Sequence, residues 1–181
     1  MFTLLSGLYN AHWRRREIKI LLVGPANAGK TTMLNTYKRL FGLRFQDPTA
    51  ITPTLGFNIA NLPYNRSKRI LMWDVGGQGG RWRHYLEEAQ GVLFVVDSAD
   101  PQRWSDAKAT LEEMLTSLGD REVPFVVCAN KNDLSSAVAE ELSIALGLPK
   151  KWVLCCDTVS GFGGDGLREA LTKLVESATE C

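Results

Sequence analysis

Short apolar runs alternate with longer amphipathic segments along the chain from residue 18 onward. The apolar runs are rich in β-branched side chains, which is typical of strands buried in a sheet, whereas the segments between them repeat apolar positions at helical spacing. The runs predict strands near residues 18–23, 57–64, 68–74, 91–97, 124–129 and 152–156. The amphipathic segments predict helices near residues 31–41, 101–118, 137–146 and 165–178.

This order of elements predicts a doubly wound α/β domain with ligand loops at the carboxyl ends of its strands. Residues 65–68 form a polar turn, so the second and third strands should pair as an antiparallel hairpin in an otherwise parallel sheet. We place this domain at residues 17–181, after an N-terminal segment of residues 1–16.

The N-terminal segment has the pattern of a short amphipathic helix. Phe2, Leu5, Tyr9 and Trp13 recur at helical spacing, and a basic cluster at residues 14–16 follows directly. An apolar face with interfacial aromatics beside basic residues is typical of a helix that lies on a membrane surface. The alternative is a helix packed against the domain as ordinary core. Because residue 2 is Phe, the N-myristoylation pattern is absent.

Composition narrows the class of protein. Lys and Arg number 21 against 20 Asp and Glu, a net charge of +1, so no strong positive field indicates a nucleic-acid partner. The four cysteines show no Cys-x-x-Cys spacing, which favours a reducing, cytoplasmic location. No apolar run reaches the about 20 residues that span a bilayer.

Residues 24–31, Gly-Pro-Ala-Asn-Ala-Gly-Lys-Thr, fit the phosphate-binding loop pattern and lie between a predicted strand and a predicted helix. In such a loop the backbone N–H groups cradle phosphates, the lysine contacts the β and γ oxygens, and the threonine hydroxyl binds Mg²⁺. The candidate contacts to GTP in this segment are Asn27, Ala28, Gly29, Lys30, Thr31 and Thr32.

Further candidates follow the third predicted strand. Asp74 lies at its carboxyl end, where it can hold Mg²⁺ directly or through water. Gly77 offers an unobstructed N–H to a γ-phosphate, and Gln78 can orient an attacking water. Thr54, in a polar loop before the second strand, is the remaining candidate magnesium ligand. Its loop would become ordered when the γ-phosphate is present.

Asn130, Lys131 and Asp133 follow another buried run. The carboxylate of Asp133 can accept hydrogen bonds from N1–H and the 2-amino group of guanine. Adenine lacks this donor pair, so the acceptors would be left unpaired. The segment therefore predicts GTP rather than ATP as the nucleotide.

Together, these motifs resemble those of the small GTPases of the Ras superfamily. Their residues are similar to those of the ADP-ribosylation factor (Arf) and Arf-like branch. The first nine residues are most similar to the Arf-related members. The segments that carry the resemblance are residues 28–32, 53–58, 73–78, 82–85 and 95–98.

The resemblance implies a P-loop GTPase fold and a GTP-binding molecular switch that hydrolyses GTP slowly, with Mg²⁺ as cofactor. It implies an exchange factor, a GTPase-activating protein and effectors as partners, and reversible recruitment to Golgi or endosomal membranes in vesicle and protein transport. By position it assigns Thr158, Val159 and Ser160 to a loop that contacts guanine through its backbone, although the glycine-rich stretch at residues 161–164 allows a shift of one or two residues. It also assigns Phe57, Trp73 and Tyr85 to an effector surface, although Phe57 and Trp73 could equally belong to the core.

The chain departs from the Arf pattern in two places that bear on mechanism. Trp82 follows Gln78 after three residues, so the switch II segment is shorter and richer in glycine than in Arf proteins. Ala26 replaces an aspartate. The alternative function is therefore a GTP-binding regulatory module with negligible hydrolysis. A metabolic P-loop kinase is a third reading, which the segment Asn130–Asp133 disfavours. No arginine stands out in the loops as a residue that acts on the phosphates in cis.

Overall fold

The computed structural model describes residues 16–47, 50–51, 56–76, 80–134, 138–148 and 153–180, with the backbone alone for 153–156 and 180. Six strands lie at Arg16–Val23 (β1), Phe57–Leu62 (β2), Lys68–Val75 (β3), Gly91–Asp97 (β4), Phe125–Asn130 (β5) and Val153–Thr158 (β6). Five α-helices lie among the described residues at Lys30–Leu40 (α1), Trp82–Leu86 (α2), Trp104–Leu118 (α3), Ala139–Leu146 (α4) and Leu167–Glu180 (α5).

The strands form one sheet in the order β2-β3-β1-β4-β5-β6. β2 and β3 are antiparallel, and the other neighbouring strands are parallel. This confirms the predicted P-loop GTPase fold. The order reverses at β1, because β3 lies on one side of it and β4 on the other, and ligands bind beside such a reversal in open α/β sheets.

The core has two halves, one on each face of the sheet. Alternate residues of β1 enter different halves, since Ile20 and Leu22 pack with α1 and α5, while Leu21 and Val23 pack with α2, α3 and α4. All four side chains are buried. Burial on both faces explains why β1 reads as a nearly continuous apolar run.

Several element bounds differ from the prediction. β2 ends at Leu62 rather than at residue 64, and Pro63, which has no N–H for the ladder, follows it. The helix predicted from residue 101 starts as a 3₁₀ turn, Pro101–Arg103, and becomes α-helical at Trp104. The five-residue helix α2 was not predicted.

The proposed N-terminal helix lies outside the described residues. Among the helices that the structure describes, none combines the length and the apolar character needed to cross a bilayer.

Candidate nucleotide-binding site

The phosphate loop connects β1 to α1 in a conformation that demands glycine. Gly24 and Gly29 have φ values of 148° and 92°, and a Cβ on Gly24 would lie 2.0 Å from the Val95 carbonyl oxygen. Asn27 also has a positive φ of 61°, in the left-handed region that asparagine tolerates better than most residues. The N-cap of α1 is Gly29, which makes no side-chain cap hydrogen bond, and the N-terminus of a helix favours an anion.

Lys30 is buried at the start of α1, with only 6% of its surface exposed. Its Nζ donates hydrogen bonds to the carbonyl oxygens of Gly24 and Pro25, at 2.9 and 2.7 Å. Burial lowers the pKa of Lys30 to about 8, although Asp74 acts in the opposite direction. A buried ammonium group held by neutral carbonyls gains strongly from a phosphate partner.

Thr31 and Asp74 meet where a magnesium ion is expected. The Thr31 hydroxyl donates to Asp74 Oδ2 at 2.7 Å, and the Asn58 amide donates to the same oxygen at 3.3 Å. Asp74 is fully buried, and its Oδ1 has no hydrogen-bond partner in the part of the chain that the structure describes. A buried carboxylate oxygen left unpaired is costly. A hydroxyl and a carboxylate fit Mg²⁺, which typically completes its shell with waters and phosphate oxygens.

Asn130 joins the phosphate loop to the loop after β6. Its Nδ2 donates to the Ala28 carbonyl oxygen at 2.7 Å, and its Oδ1 accepts the Gly161 N–H at 2.7 Å. The side chain is buried, and a Cβ on Gly29 would lie 2.4 Å from its Nδ2. Asn130 therefore fixes the distance between the predicted phosphate and guanine contacts.

Asp133 is held by the side chain of Ser160, a residue that the sequence places in the guanine loop but to which it assigns no side-chain role. The Ser160 hydroxyl donates to Asp133 Oδ1 at 2.6 Å and accepts the Gly163 N–H at 2.8 Å. Lys131, at a positive φ of 67°, reaches back so that its Nζ donates to Asp97 Oδ2 at 2.5 Å. The carboxylate of Asp97 thus supports the guanine segment through Lys131.

The residues of the expected guanine loop differ in their contacts. The Val159 N–H donates to the Ala129 carbonyl, its own carbonyl accepts from Asn132, and its side chain lies in the core. Thr158 is exposed at the end of β6. Val159, Ser160 and Gly161 thus all form hydrogen bonds with the segment Asn130–Asp133.

Arg103, which the sequence analysis does not identify as a site residue, contacts the backbone of the phosphate loop. Arg103 Nη1 donates to the Ala26 carbonyl oxygen at 2.8 Å, while its Nε donates to Asp100 Oδ2 at 2.7 Å. Arg103 therefore binds the backbone of Ala26, the residue that replaces the aspartate of the Arf pattern.

The three predicted effector aromatics lie together but are not equally accessible. The Tyr85 ring lies 5.6 Å from Phe57 and 5.5 Å from Trp73, measured between centroids. Phe57 is 52% exposed, whereas Trp73 is only 7% exposed and belongs to the core on the α2 side. Phe57 and Tyr85 therefore offer most of the accessible surface of this cluster.

Thr32 lies on α1, whereas seven of the predicted site residues lie outside the described residues, and their roles stay predictions. They are Phe2, Leu5, Tyr9, Trp13, Thr54, Gly77 and Gln78.

Comparison with known proteins agrees with this geometry. The family model of the ADP-ribosylation factor family matches residues 4–178. ADP-ribosylation factor-like protein 3 of Saccharomyces cerevisiae is 31% identical, over 97% of this chain and 92% of its own length. ADP-ribosylation factor-related protein 1 of Bos taurus is 38% identical, over 77% of this chain and 71% of its own.

A solved structure shows the same fold. The small GTPase Arl6 (BBS3) of Trypanosoma brucei, determined with the bound nucleotide analogue GppNp, aligns with a TM-score of 0.76 and 29% identity. The alignment covers 91% of this chain and 99% of the Arl6 chain.

Fold, site and comparisons define a small GTPase, a class of GTP hydrolases that bind GTP and GDP. Within that class, the chain belongs to the ADP-ribosylation factor family.

Proposed function

We propose that this protein is a molecular switch that alternates between GDP and GTP states and recruits effectors to Golgi or endosomal membranes. Its main support is the site around Asp74, where a buried carboxylate oxygen without a partner among the described residues lies beside the Thr31 hydroxyl. Mg²⁺ would be held there by Thr31 and Asp74, with Thr54 as a further ligand. When bound, the ion neutralises charge on the β- and γ-phosphate oxygens.

The chain's own groups then have distinct tasks. Lys30 exchanges its carbonyl partners for phosphate oxygens, which relieves its buried charge. Asp133, held by Ser160, reads the edge of guanine. Gln78 orients the water that attacks the γ-phosphate. An activating protein supplies the missing cationic group, because Arg103 is engaged with Asp100 and the Ala26 carbonyl.

The antiparallel β2–β3 hairpin can couple the γ-phosphate to distant surfaces. Gly56 directly precedes β2 and Gly76 directly follows β3, and they are joined by a hydrogen bond of 3.0 Å from Gly76 N–H to the Gly56 carbonyl. In sequence, the predicted γ-phosphate residue Thr54 lies two residues before Gly56, and Gly77 follows Gly76 directly. A ligand that moves either one therefore acts on the same hairpin, whose Phe57 is exposed for effectors.

Hydrolysis is tested by single-turnover measurements on GTP-loaded protein, with and without a cognate activating protein. Gln78→Leu should slow hydrolysis while GTP affinity stays close to that of wild type, because the glutamine acts on the attacking water. If wild type hydrolyses GTP no faster than the variant even with the activating protein, the alternative holds, and the protein is a GTP-binding module with negligible hydrolysis.

Membrane recruitment is tested by co-sedimentation with liposomes. The stripe Phe2, Leu5, Tyr9 and Trp13 should insert into lipid in the GTP state and be hidden in the GDP state. Linkage requires lipid to favour GTP over GDP by the same factor by which GTP favours lipid. A Phe2→Asp, Leu5→Asp variant is the control. Equal sedimentation in both nucleotide states would overturn this part of the proposal.

A further inference from the structure

We propose that Arg103 is a positioning residue of the phosphate loop and that it turns the Asn27 N–H toward the β-phosphate. This inference rests on the proposed function, because it concerns phosphate binding in the same site. Arg103 ends the short 3₁₀ turn that precedes α3, and its Nη1 donates to the Ala26 carbonyl at 2.8 Å. Ala26 has a methyl side chain, so its backbone carbonyl is the acceptor that it offers to Arg103.

Three side chains hold the carbonyl groups of the phosphate loop from different elements. Lys30 Nζ binds two carbonyls at the start of the loop, and Asn130 Nδ2 binds the Ala28 carbonyl. Arg103 binds the carbonyl of Ala26, which lies between these contacts in the chain. The middle of the loop is therefore fixed by a residue that lies on neither α1 nor the guanine segment.

The bond from Arg103 also fixes the direction of the next amide group. The Ala26 carbonyl and the Asn27 N–H belong to one trans peptide, which is planar, so the two groups point in opposite directions. Because the Ala26 carbonyl points at Arg103, the Asn27 N–H points away from it and can donate to a phosphate cradled by the loop. Asn27 has a φ of 61°, a left-handed conformation that costs energy, and the Arg103 bond stabilises the peptide that precedes it.

The turn that carries Arg103 is itself held in place. Arg103 Nε donates to Asp100 Oδ2 at 2.7 Å, which orients the planar guanidinium group. The next residue, Trp104, is buried, and its ring N–H donates at 3.0 Å to the carbonyl of the last residue of β4. At the start of the turn, the Ser98 N–H and hydroxyl both donate to the Asn130 carbonyl, at 2.9 and 2.7 Å. Arg103 therefore reaches the phosphate loop from a turn that is joined to the guanine segment.

This geometry separates an effect of Arg103 on the phosphates from an effect on the base. The Asn27 N–H belongs to the phosphate loop, whereas Asp133, held by Ser160, is placed for guanine. Loss of Arg103 should therefore weaken the binding of a nucleotide that carries a β-phosphate and should hardly affect GMP, which has none. A purely structural role would weaken both nucleotides by the same factor.

The test measures the affinities of wild type, Arg103→Ala and Arg103→Lys for GDP and for GMP, each with Mg²⁺. Arg121→Ala is the matched control, because Arg121 Nη1 likewise donates to a backbone carbonyl, that of Leu86 at the end of α2, at 3.2 Å. Arg103→Ala should weaken GDP binding about tenfold or more, the effect of losing one hydrogen bond to a charged group, and GMP binding less than about twofold. Arg103→Lys should fall between, since an ammonium group can bind the Ala26 carbonyl but lacks the planar fork that also binds Asp100. The control should match wild type.

Two results would overturn this inference and leave the proposed function intact. They are a GDP affinity of Arg103→Ala equal to that of wild type, and equal weakening of GDP and GMP binding in that variant. If wild type itself binds GDP no more tightly than GMP, the loop does not bind the β-phosphate, and the proposed function fails together with the inference.

Hydrogen exchange of the Asn27 amide, resolved by NMR in the GDP complex, tests the orientation directly. The amide should be protected in wild type, because it donates to the phosphate. In Arg103→Ala it should exchange at least about tenfold faster, whereas Arg121→Ala should leave its exchange rate unchanged. A wild-type exchange rate of this amide in Arg103→Ala would also overturn the inference.

Discussion

Truncation of Asn130 to alanine tests whether one buried side chain holds the two halves of the site together. Asn130 is 2% exposed and makes hydrogen bonds of 2.7 Å to the Ala28 carbonyl and the Gly161 N–H. Asn130→Ala leaves both backbone groups buried without this partner. At about 1–3 kcal/mol for each, the free energy of unfolding should fall by about 2–6 kcal/mol.

The effect on nucleotide should exceed the effect on stability alone. Asn35 provides a matched control, since it is 6% exposed and likewise holds two backbone groups, the carbonyl and N–H of Gln46, at 2.6 and 3.0 Å. Asn35→Ala should lose less stability in urea unfolding, because Gln46 is exposed and water can bond its freed backbone groups. The release rates are therefore compared at urea concentrations at which the two variants are equally stable. We expect Asn130→Ala to release GDP at least about tenfold faster than Asn35→Ala, a difference of about 1.4 kcal/mol.

Two results would refute this reasoning. A loss of stability below about 1 kcal/mol in Asn130→Ala would show that the two bonds are replaced by water or contribute nothing net. Equal GDP release from both variants at equal stability would show that Asn130 is a structural residue and that it does not position the nucleotide loops.

Two further predictions concern the magnesium site and a buried tyrosine. Thr31→Asn should abolish the Mg²⁺ dependence of GTP binding, measured as the ratio of affinities with and without a chelator, and an unchanged ratio would remove Thr31 from the site. Burial raises the pKa of Tyr37 well above its ordinary value of 10.0, and its hydroxyl donates to the Leu167 carbonyl at 2.9 Å. Because the raised pKa keeps the folded state protonated, stability should be constant just below pH 10.0 and fall as the pH rises above it. Tyr37→Phe should show no such fall in urea unfolding, whereas an identical slope in the variant would mean that another group titrates.

The sequence predicts those parts of the site that are formed by residues adjacent in the chain. The phosphate loop can be predicted because its backbone conformation requires glycine at particular positions. At Gly24, for example, a Cβ would clash with Val95. The strands of the sheet can be predicted because parallel strands buried on both faces are apolar along most of their length. The role of Asp74 can be predicted because this residue lies near the carboxyl end of such a strand, where ligands bind.

The parts that escape prediction depend on contacts between distant residues. Ser160 lies 27 positions from Asp133, and Arg103 lies 77 positions from Ala26, so no local spacing links either pair. Helix α2, with five residues, is too short to display a helical period. Trp73 and Phe57 belong to one aromatic cluster, and only the packing decides that the first is buried and the second exposed.

The central claim is that the site binds guanine nucleotides through Asp133 and magnesium. The most direct test compares the affinities of wild type and Asp133→Asn for GTP, GDP, ATP and XTP, each with Mg²⁺. We expect wild type to bind GTP and GDP tightly and ATP and XTP weakly. Asp133→Asn should prefer XTP over GTP, because the amide presents a donor where the carboxylate accepted. Wild-type binding of ATP as tight as that of GTP, or a GTP preference that survives in Asp133→Asn, would contradict the account.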